Sequence, residues 1–259
     1  MATKKTTKTG KARPKLVVAN WKMAPVSVKD GIKIIANFNK QKAGKGTYVG
    51  WCPPAVQLSP LKAKFRAAEF GVQNLSWETE GAHTGEISAA QAKAAGANFA
   101  IIGHSERRAA GETDAQVALK VKATLAAGLQ VLLCVGERER DAAGKYLRTL
   151  AAQIAASLDG VDPKAAKMVA IAYEPVWAIG AGKSAIGPRE LLETSRFVRK
   201  TLREVLGSDV GDKTYILYGG SVDGENARGL VTEGEVDGFL VGRASLDPYA
   251  FSAIVKACA

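Results

Sequence analysis

Several residue types that build disulfide-rich, metal-binding or membrane proteins are scarce in this sequence. Only two histidines and three cysteines occur among 259 residues, and Cys52, Cys134 and Cys258 lie far apart. This number and spacing predict neither a disulfide framework nor a metal site. No apolar run reaches the roughly 20 residues of a membrane-spanning helix, and the first residues lack the apolar stretch of a secretory signal. We therefore expect a protein of the reducing cytoplasm that has no membrane partner.

Positive charge is concentrated at the N-terminus. The formal net charge is +11, from 36 basic and 25 acidic residues. Six of the basic residues and none of the acidic ones fall within residues 1–15, so the rest of the chain carries only +5. We interpret residues 1–14 as a disordered basic extension. Nucleic-acid binding is its alternative role, but no recognition motif accompanies the charge, and a solvated extension without a partner is the preferred interpretation.

Short apolar runs alternate with longer amphipathic stretches from residue 15 onward, and 47% of residues are hydrophobic. Strands are predicted at Leu16–Ala19, Tyr48–Cys52, Phe70–Gln73, Phe99–Ile102, Val131–Val135, Met168–Tyr173, Thr214–Tyr218 and Gly238–Val241. Helices are predicted at Asp114–Ala127, Arg138–Ser157 and Arg189–Leu206, among others. Eight strand–helix units in about 245 residues predict a single α/β domain at 15–259, a (β/α)8 barrel. The pattern alone also fits an open doubly wound sheet.

Reactive side chains follow the predicted strands at the edge where a barrel carries its chemistry. Lys22, His104 and Glu174 are the titratable residues at these positions. A carboxylate can take a proton from a carbon next to a carbonyl, an imidazole can donate to the oxygen that becomes negative, and an ammonium can offset the charge. The glycine turns Gly219-Gly220-Ser221 and Gly242-Arg243 can present N–H groups to a phosphate. No nucleotide-binding fingerprint is present, and no cofactor is predicted.

Five segments together resemble the signatures of the triosephosphate isomerase family, in that family's order. They are Asn20-Trp21-Lys22-Met23, Ile102-Gly103-His104-Ser105-Glu106-Arg107-Arg108, Ala172-Tyr173-Glu174-Pro175-Val176-Trp177-Ala178-Ile179-Gly180, Tyr218-Gly219-Gly220-Ser221-Val222 and Leu240-Val241-Gly242. The resemblance covers essentially the whole chain from residue 15. Any one segment alone, above all Gly-Gly-Ser, would be a weak signal.

The resemblance implies an intramolecular aldose–ketose isomerase of glycolysis and gluconeogenesis. It would interconvert dihydroxyacetone phosphate and D-glyceraldehyde 3-phosphate by proton transfer through an enediol(ate). Glu174 would be the base, His104 the electrophile, and Lys22 the support for the developing oxyanion and the substrate's charge. We expect His104 to stay neutral, because Ser105–Arg108 can start a helix whose positive end disfavours imidazolium.

The resemblance also implies binding residues and an assembly. Asn20 would line the pocket, and the main chain would hold the phosphate at Gly180, Ser221, Gly242 and Arg243. A lid would span 175–185. The expected assembly is a homodimer in which the loop around Thr84 reaches the partner near Lys22.

The sequence departs from the family pattern at a few positions. Ala24, Ala181 and Ser184 are small changes near the dimer contact and in the lid. Arg243 stands where a second glycine is usual. We expect its φ to be negative and its main chain to bind phosphate, with the guanidinium directed away, solvated or paired. The alternative is that the guanidinium itself reaches the phosphate.

Three other functions compete with the isomerase. Another phosphate-binding barrel isomerase or an aldolase is the nearest, but an aldolase needs a Schiff-base lysine within a strand, and no predicted strand clearly offers one. A nucleic-acid-binding protein rests on the basic extension alone. A catalytically inactive barrel that serves as a binding partner conflicts with the intact set Lys22, His104 and Glu174.

Overall fold

Eight parallel strands form a closed barrel in the computed structural model, which describes residues 13–44, 46–141, 143–179 and 185–259. The strands are β1 (Lys15–Asn20), β2 (Thr47–Cys52), β3 (Glu69–Val72), β4 (Phe99–Ile102), β5 (Gln130–Val135), β6 (Val169–Tyr173), β7 (Tyr215–Tyr218) and β8 (Gly238–Val241). Each pairs with the next in the chain, and β8 pairs with β1. The predicted strand ends differ from these by at most one residue. The barrel is therefore confirmed, and the open sheet is excluded.

The strands read as continuous apolar runs because both of their faces are buried. In β5, Leu132 and Cys134 belong to the cluster inside the barrel. Their neighbours Val131, Leu133 and Val135 belong to the larger cluster between the barrel and the helices. Cys134 is thus a core residue.

Helices surround the barrel. They are α1 (Val28–Lys40), α2 (Ala55–Lys64), α3 (Ala89–Ala94), α4 (Ser105–Ala109), α5 (Asp114–Ala126), α6 (Lys145–Ser157), α7 (Pro188–Leu206), α8 (Ser208–Gly211), α9 (Ala227–Glu233) and α10 (Pro248–Ala257). Among the described residues, none of them combines the length and apolar character that crossing a bilayer requires. Cys258, which follows α10, is buried against the core.

The helix predicted at Arg138–Ser157 begins later than the sequence suggested. Helix α6 starts at Lys145, because the Asp141 carboxylate accepts the N–H groups of Lys145 at 3.1 Å and Tyr146 at 3.0 Å. A carboxylate that satisfies the free N–H groups of a first turn marks a helix start. The polar residues before it fit a helical pattern but belong to the loop after β5.

The amino ends of the strands carry a charge cluster that holds the start of the described chain. The Arg13 guanidinium stacks on the Tyr215 ring, 3.7 Å from its centroid, and pairs with Asp237 at 2.7 Å. Asp237 also accepts from Arg199 at 3.2 Å and from the N–H of Ile216 at 2.9 Å. Of the predicted extension at 1–14, only residues 13 and 14 are described, and the other twelve lie outside the described residues.

Candidate active site

A cavity of about 980 Å³ opens at the carboxyl ends of the strands. Seven of the predicted site residues lie in its wall, and they are Asn20, Lys22, His104, Glu174, Ser221, Gly242 and Arg243. The eighth, Gly180, and the lid positions 180–184 lie outside the described residues. Strands β1, β4, β6, β7 and β8 bring these residues together from distant parts of the sequence.

Glu174 is the buried carboxylate of this cavity, directly after β6. One oxygen, Oε1, lies 3.0 Å from Nε2 of His104. The other, Oε2, accepts the N–H of Ser105 at 2.9 Å, at the start of α4. Burial raises the pKa of Glu174, but His104 and the Ser105 N–H outweigh it, and the net pKa is lowered. The carboxyl group of Glu174 is therefore ionised at neutral pH.

His104 precedes α4 and caps it. Its Nδ1 accepts the N–H of Glu106 at 3.2 Å, so the ring proton lies on Nε2, which faces Glu174. Burial lowers the pKa of His104, but the Glu174 carboxylate raises it further than burial lowers it. The net direction is upward, opposite to our expectation from the helix end alone. The cause is the carboxylate that lies against the ring in this arrangement.

Lys22 is held in a left-handed backbone conformation, with φ of 53°. This region costs a residue with a Cβ about 1–2 kcal/mol. Neighbouring side chains fix it, since Asn20 Oδ1 accepts the Lys22 N–H at 3.1 Å and Gln73 donates to the Lys22 carbonyl at 2.9 Å. The Lys22 ammonium pairs with the exposed carboxylate of Glu106. The strained turn aims the ammonium into the cavity wall.

The glycine turns after β7 and β8 bring main chain close to these groups. A Cβ on Gly219 would lie 2.9 Å from Cγ of Glu174, so only glycine fits beside the carboxylate. The Ser221 hydroxyl donates to the Ala178 carbonyl at 3.1 Å. Arg243 opens a short 3-10 turn and is absent from the residues with positive φ, as predicted.

Comparison with known proteins identifies the family. The statistical profile of the family described as triosephosphate isomerase matches residues 15–258. The chain belongs to the triosephosphate isomerase family. A triosephosphate isomerase of Carboxydothermus hydrogenoformans is 40% identical over 251 residues, which are 94% of this chain and 98% of that protein. Another, of Bacteroides fragilis, is 40% identical over 252 residues, with coverage of 95% and 99%. The crystal structure of triosephosphate isomerase from Bartonella henselae matches with a TM-score of 0.83 at 35% identity, covering 95% of this chain and 99% of that one.

Membership of the triosephosphate isomerase family confirms the predicted activity. The enzyme is an isomerase of glycolysis that interconverts dihydroxyacetone phosphate and D-glyceraldehyde 3-phosphate. The structure also removes the reason for an aldolase. Within the described strands the one lysine is Lys15, at the amino end of β1 and far from the cavity.

Two further residues, which the sequence did not predict, support this site. Gln73 donates to the carbonyls of both Lys22 and Cys52 at 2.9 Å, and so ties two strand ends together. The buried Glu137 accepts from Tyr173 and Trp177, each at 2.8 Å, beside the segment that follows Glu174. Each is a polar residue at or just past the end of an apolar strand. That position is the feature of the sequence from which a role at the site could have been predicted.

Proposed function

We propose that Glu174, His104 and Lys22 carry out the isomerisation. Glu174 takes a proton from the carbon next to the substrate carbonyl and returns it to the neighbouring carbon. His104 donates its Nε2–H to the oxygen that becomes negative, and Lys22 offsets the charge of the enediolate. The supporting observation is that a buried, ionised carboxylate and an imidazole N–H lie 3.0 Å apart on the wall of one cavity.

Substrate binding requires Glu174 to change partners. Both of its oxygens are engaged, by His104 and by the Ser105 N–H, so at least one contact must break before the carboxylate reaches a substrate carbon. Once the carboxylate leaves the ring, the influence that raises the pKa of His104 weakens, while burial and the N–H bonded to Nδ1 remain. The imidazole is then a neutral donor at the moment of proton transfer.

The substrate phosphate binds at the ends of β7 and β8 in this proposal. Main-chain N–H groups at Ser221, Gly242 and Arg243 hold it, together with Gly180 from the lid, and Asn20 completes the wall. The main chain at Gly242 supports this placement. A Cβ there would meet nothing closer than Cε of Lys22 at 3.8 Å, and N–H groups without bulky neighbours can approach a phosphate closely.

An isotope experiment tests the proton-transfer mechanism. Isomerisation is followed with a coupled assay in D2O, and the product is examined by mass spectrometry. While the substrate is an enediolate, the abstracted proton rests on Glu174 and exchanges with solvent deuterium. We therefore expect deuterium at the carbon that receives the proton. A product without deuterium points to direct hydride transfer and contradicts the role of Glu174. Cleavage or condensation of the substrate would instead indicate aldolase chemistry.

The enzyme also forms a homodimer in this proposal. Met23, Val26 and Val56 are 94%, 99% and 87% exposed, and the loop 79–86, which contains Thr84, is exposed throughout. These segments follow β1, β2 and β3, so they lie side by side on one rim. Adjacent exposed apolar side chains indicate an interface.

Sedimentation tests the dimer. Val26→Glu should place a charge in the interface and shift the protein toward monomer, whereas Tyr249→Glu, at an apolar residue 65% exposed on α10, should not. A wild-type monomer at micromolar concentration with full activity contradicts the proposal.

We place the enzyme in the cytoplasm. All three cysteines are free thiols, and burial raises the pKa of Cys258 to about 12 and raises those of Cys52 and Cys134. Free thiols suit a reducing compartment. Fractionation against a cytoplasmic marker checks this, and recovery in the membrane or secreted fraction contradicts it.

A further inference from the structure

Arg243 lies where β8 opens into the cavity, and its main chain is fixed. Gly242 precedes it, and Ser245 donates both its N–H, at 2.9 Å, and its hydroxyl, at 2.6 Å, to the Gly242 carbonyl. The side chain of Arg243 is exposed at the cavity wall. A fixed base and a long exposed side chain let the guanidinium move without disturbing the turn.

Most of the charged groups in this wall already have partners. The Lys22 ammonium is paired with Glu106. Asp223 accepts the N–H groups of Glu225 and Asn226 at 2.9 Å. The ion pair offsets the charge of Lys22, and the two N–H groups already occupy an oxygen of Asp223.

Asp247 is committed in the same way, as it caps α10 by accepting the N–H groups of Tyr249 at 2.8 Å and Ala250 at 2.9 Å. The guanidinium of Arg243 is different. Across the part of the chain that the structure describes, it has no hydrogen bond, ion pair or ring contact. Among the described residues of this wall, Arg243 is therefore the cation whose charge no partner offsets.

Arg243 also borders the same part of the cavity as Lys22. A Cβ on the adjacent Gly242 would lie 3.8 Å from Cε of Lys22. A phosphate dianion held by the main chain of Gly242 and Arg243 therefore lies within reach of both cations. The exposed guanidinium attracts the dianion over roughly the 8 Å Debye length of physiological salt, and a charge-assisted hydrogen bond forms on contact.

We propose that the Arg243 guanidinium binds the substrate phosphate directly, as a contact added to the main-chain N–H groups. It is a specificity-determining residue for doubly charged phosphates. In the empty cavity the guanidinium is solvated, and it turns onto the phosphate when the ligand enters. This inference rests on the proposed placement of the phosphate at Gly242 and Arg243, and it replaces our expectation that the guanidinium stays directed away.

The test compares Arg243→Gln with Arg66→Gln. Arg66 is exposed between α2 and β3, at the amino ends of the strands, so both variants lose one charge but only one loses it at the cavity. The measurements are kcat and KM for D-glyceraldehyde 3-phosphate and the inhibition constant of inorganic phosphate, at low and physiological salt. We expect Arg243→Gln to raise KM and the phosphate inhibition constant about tenfold at low salt, with kcat within about twofold. The effect should shrink as salt rises, and Arg243→Lys should restore most of the loss.

Arg66→Gln should leave all three constants unchanged. The proposal is overturned if Arg243→Gln changes KM and the phosphate inhibition constant by less than about twofold at low salt, or if Arg66→Gln changes them equally.

Amide NMR separates the two proposals. Inorganic phosphate should shift the backbone amide signals of Gly242 and Arg243 in the wild type. If these amides respond in both wild type and Arg243→Gln with equal affinity, the side-chain contact fails and the phosphate placement stands. If they do not respond in the wild type, the placement and the side-chain contact both fail.

Discussion

The two ends of the barrel use similar charged groups for different purposes. At the amino end, the Asp237 carboxylate accepts from Arg13, Arg199 and the Ile216 N–H, and these contacts join β7, α7 and the segment before β1. At the carboxyl end, the Glu174 carboxylate also has both oxygens engaged, but its partners are a histidine and a main-chain N–H. The Asp237 carboxylate stabilises the fold, whereas the contacts of the Glu174 carboxylate are ones that a substrate can replace.

The surroundings of the two carboxylates explain this difference. The carboxyl end opens into the cavity of about 980 Å³. Its wall contains Lys22 in a strained conformation and the guanidinium of Arg243, which has no partner among the described residues. The amino-end cavity, of about 440 Å³, is lined mainly by strand residues such as Leu16, Val18 and Phe99. The carboxyl end thus presents a buried carboxylate and two cations to a cavity that a ligand can enter. Replacing a carboxylate by its amide should therefore lower the activity at the carboxyl end and lower the stability of the fold at the amino end.

Glu174→Gln should give the largest effect. The amide keeps the shape of the side chain but cannot take a proton, so kcat should fall at least about a thousandfold. Binding of a substrate analogue should stay within about tenfold of the wild type, because in the proposed mechanism the carboxylate acts mainly in the chemical step. Steady-state kinetics and analogue titration measure both quantities. Near-normal turnover would remove Glu174 as the base.

His104→Asn should lower kcat by about a hundredfold or more, since a donor to the developing oxyanion is lost. It should also raise the pKa of Glu174. Burial already favours the protonated carboxyl, and the variant removes the histidine that opposes it while keeping the Ser105 N–H. The carboxylate should then become protonated at a higher pH than in the wild type. Carbon-13 NMR of the labelled carboxyl group measures this pKa directly. An unchanged pKa of Glu174 in the variant would show that His104 does not influence the carboxylate.

Asp237→Asn should leave the chemistry intact and weaken the fold. The carboxylate is about one-fifth exposed and loses charge-assisted bonds to two arginines, so the free energy of unfolding should fall by about 2 kcal/mol. Denaturant titration measures the loss, and kcat should remain within about twofold. Glu235→Gln is the control, because its exposed pair with Arg196 should contribute little to stability. If Asp237→Asn instead loses activity and keeps its stability, the assignment of Asp237 to the fold and Glu174 to the site is wrong.

The sequence predicted the strands and the site positions for a physical reason. Strands buried on both faces read as apolar runs, and polar residues at their carboxyl ends stand out, as Lys22, His104 and Glu174 do. The start of α6 was misplaced because Asp141 caps the helix from within a polar stretch that has helical periodicity. Sequence periodicity does not show which acid turns back onto the main chain.

Other features depend on contacts between distant segments. The strain at Lys22 is maintained by Gln73, 51 positions away in the chain. The upward pKa shift of His104 depends on where Glu174 places its carboxylate, 70 residues further on. The sequence shows that a helix begins next to His104, which lowers the expected pKa of the imidazole. It does not show that the Glu174 carboxylate lies against the ring and raises this pKa.

The pairing of the first strand with the last has a consequence for how the enzyme is made. Ala19 pairs with Val241, so the ring cannot close until 222 further residues have been synthesised. At about 5–20 residues per second this takes roughly 11–44 s. From the synthesis of Glu174 until that of β8, the growing chain contains Lys22, His104 and Glu174 but lacks the strand that completes the cavity. Until β8 has been made, the edges of β1 and of the newest strand are open to pairing with other chains.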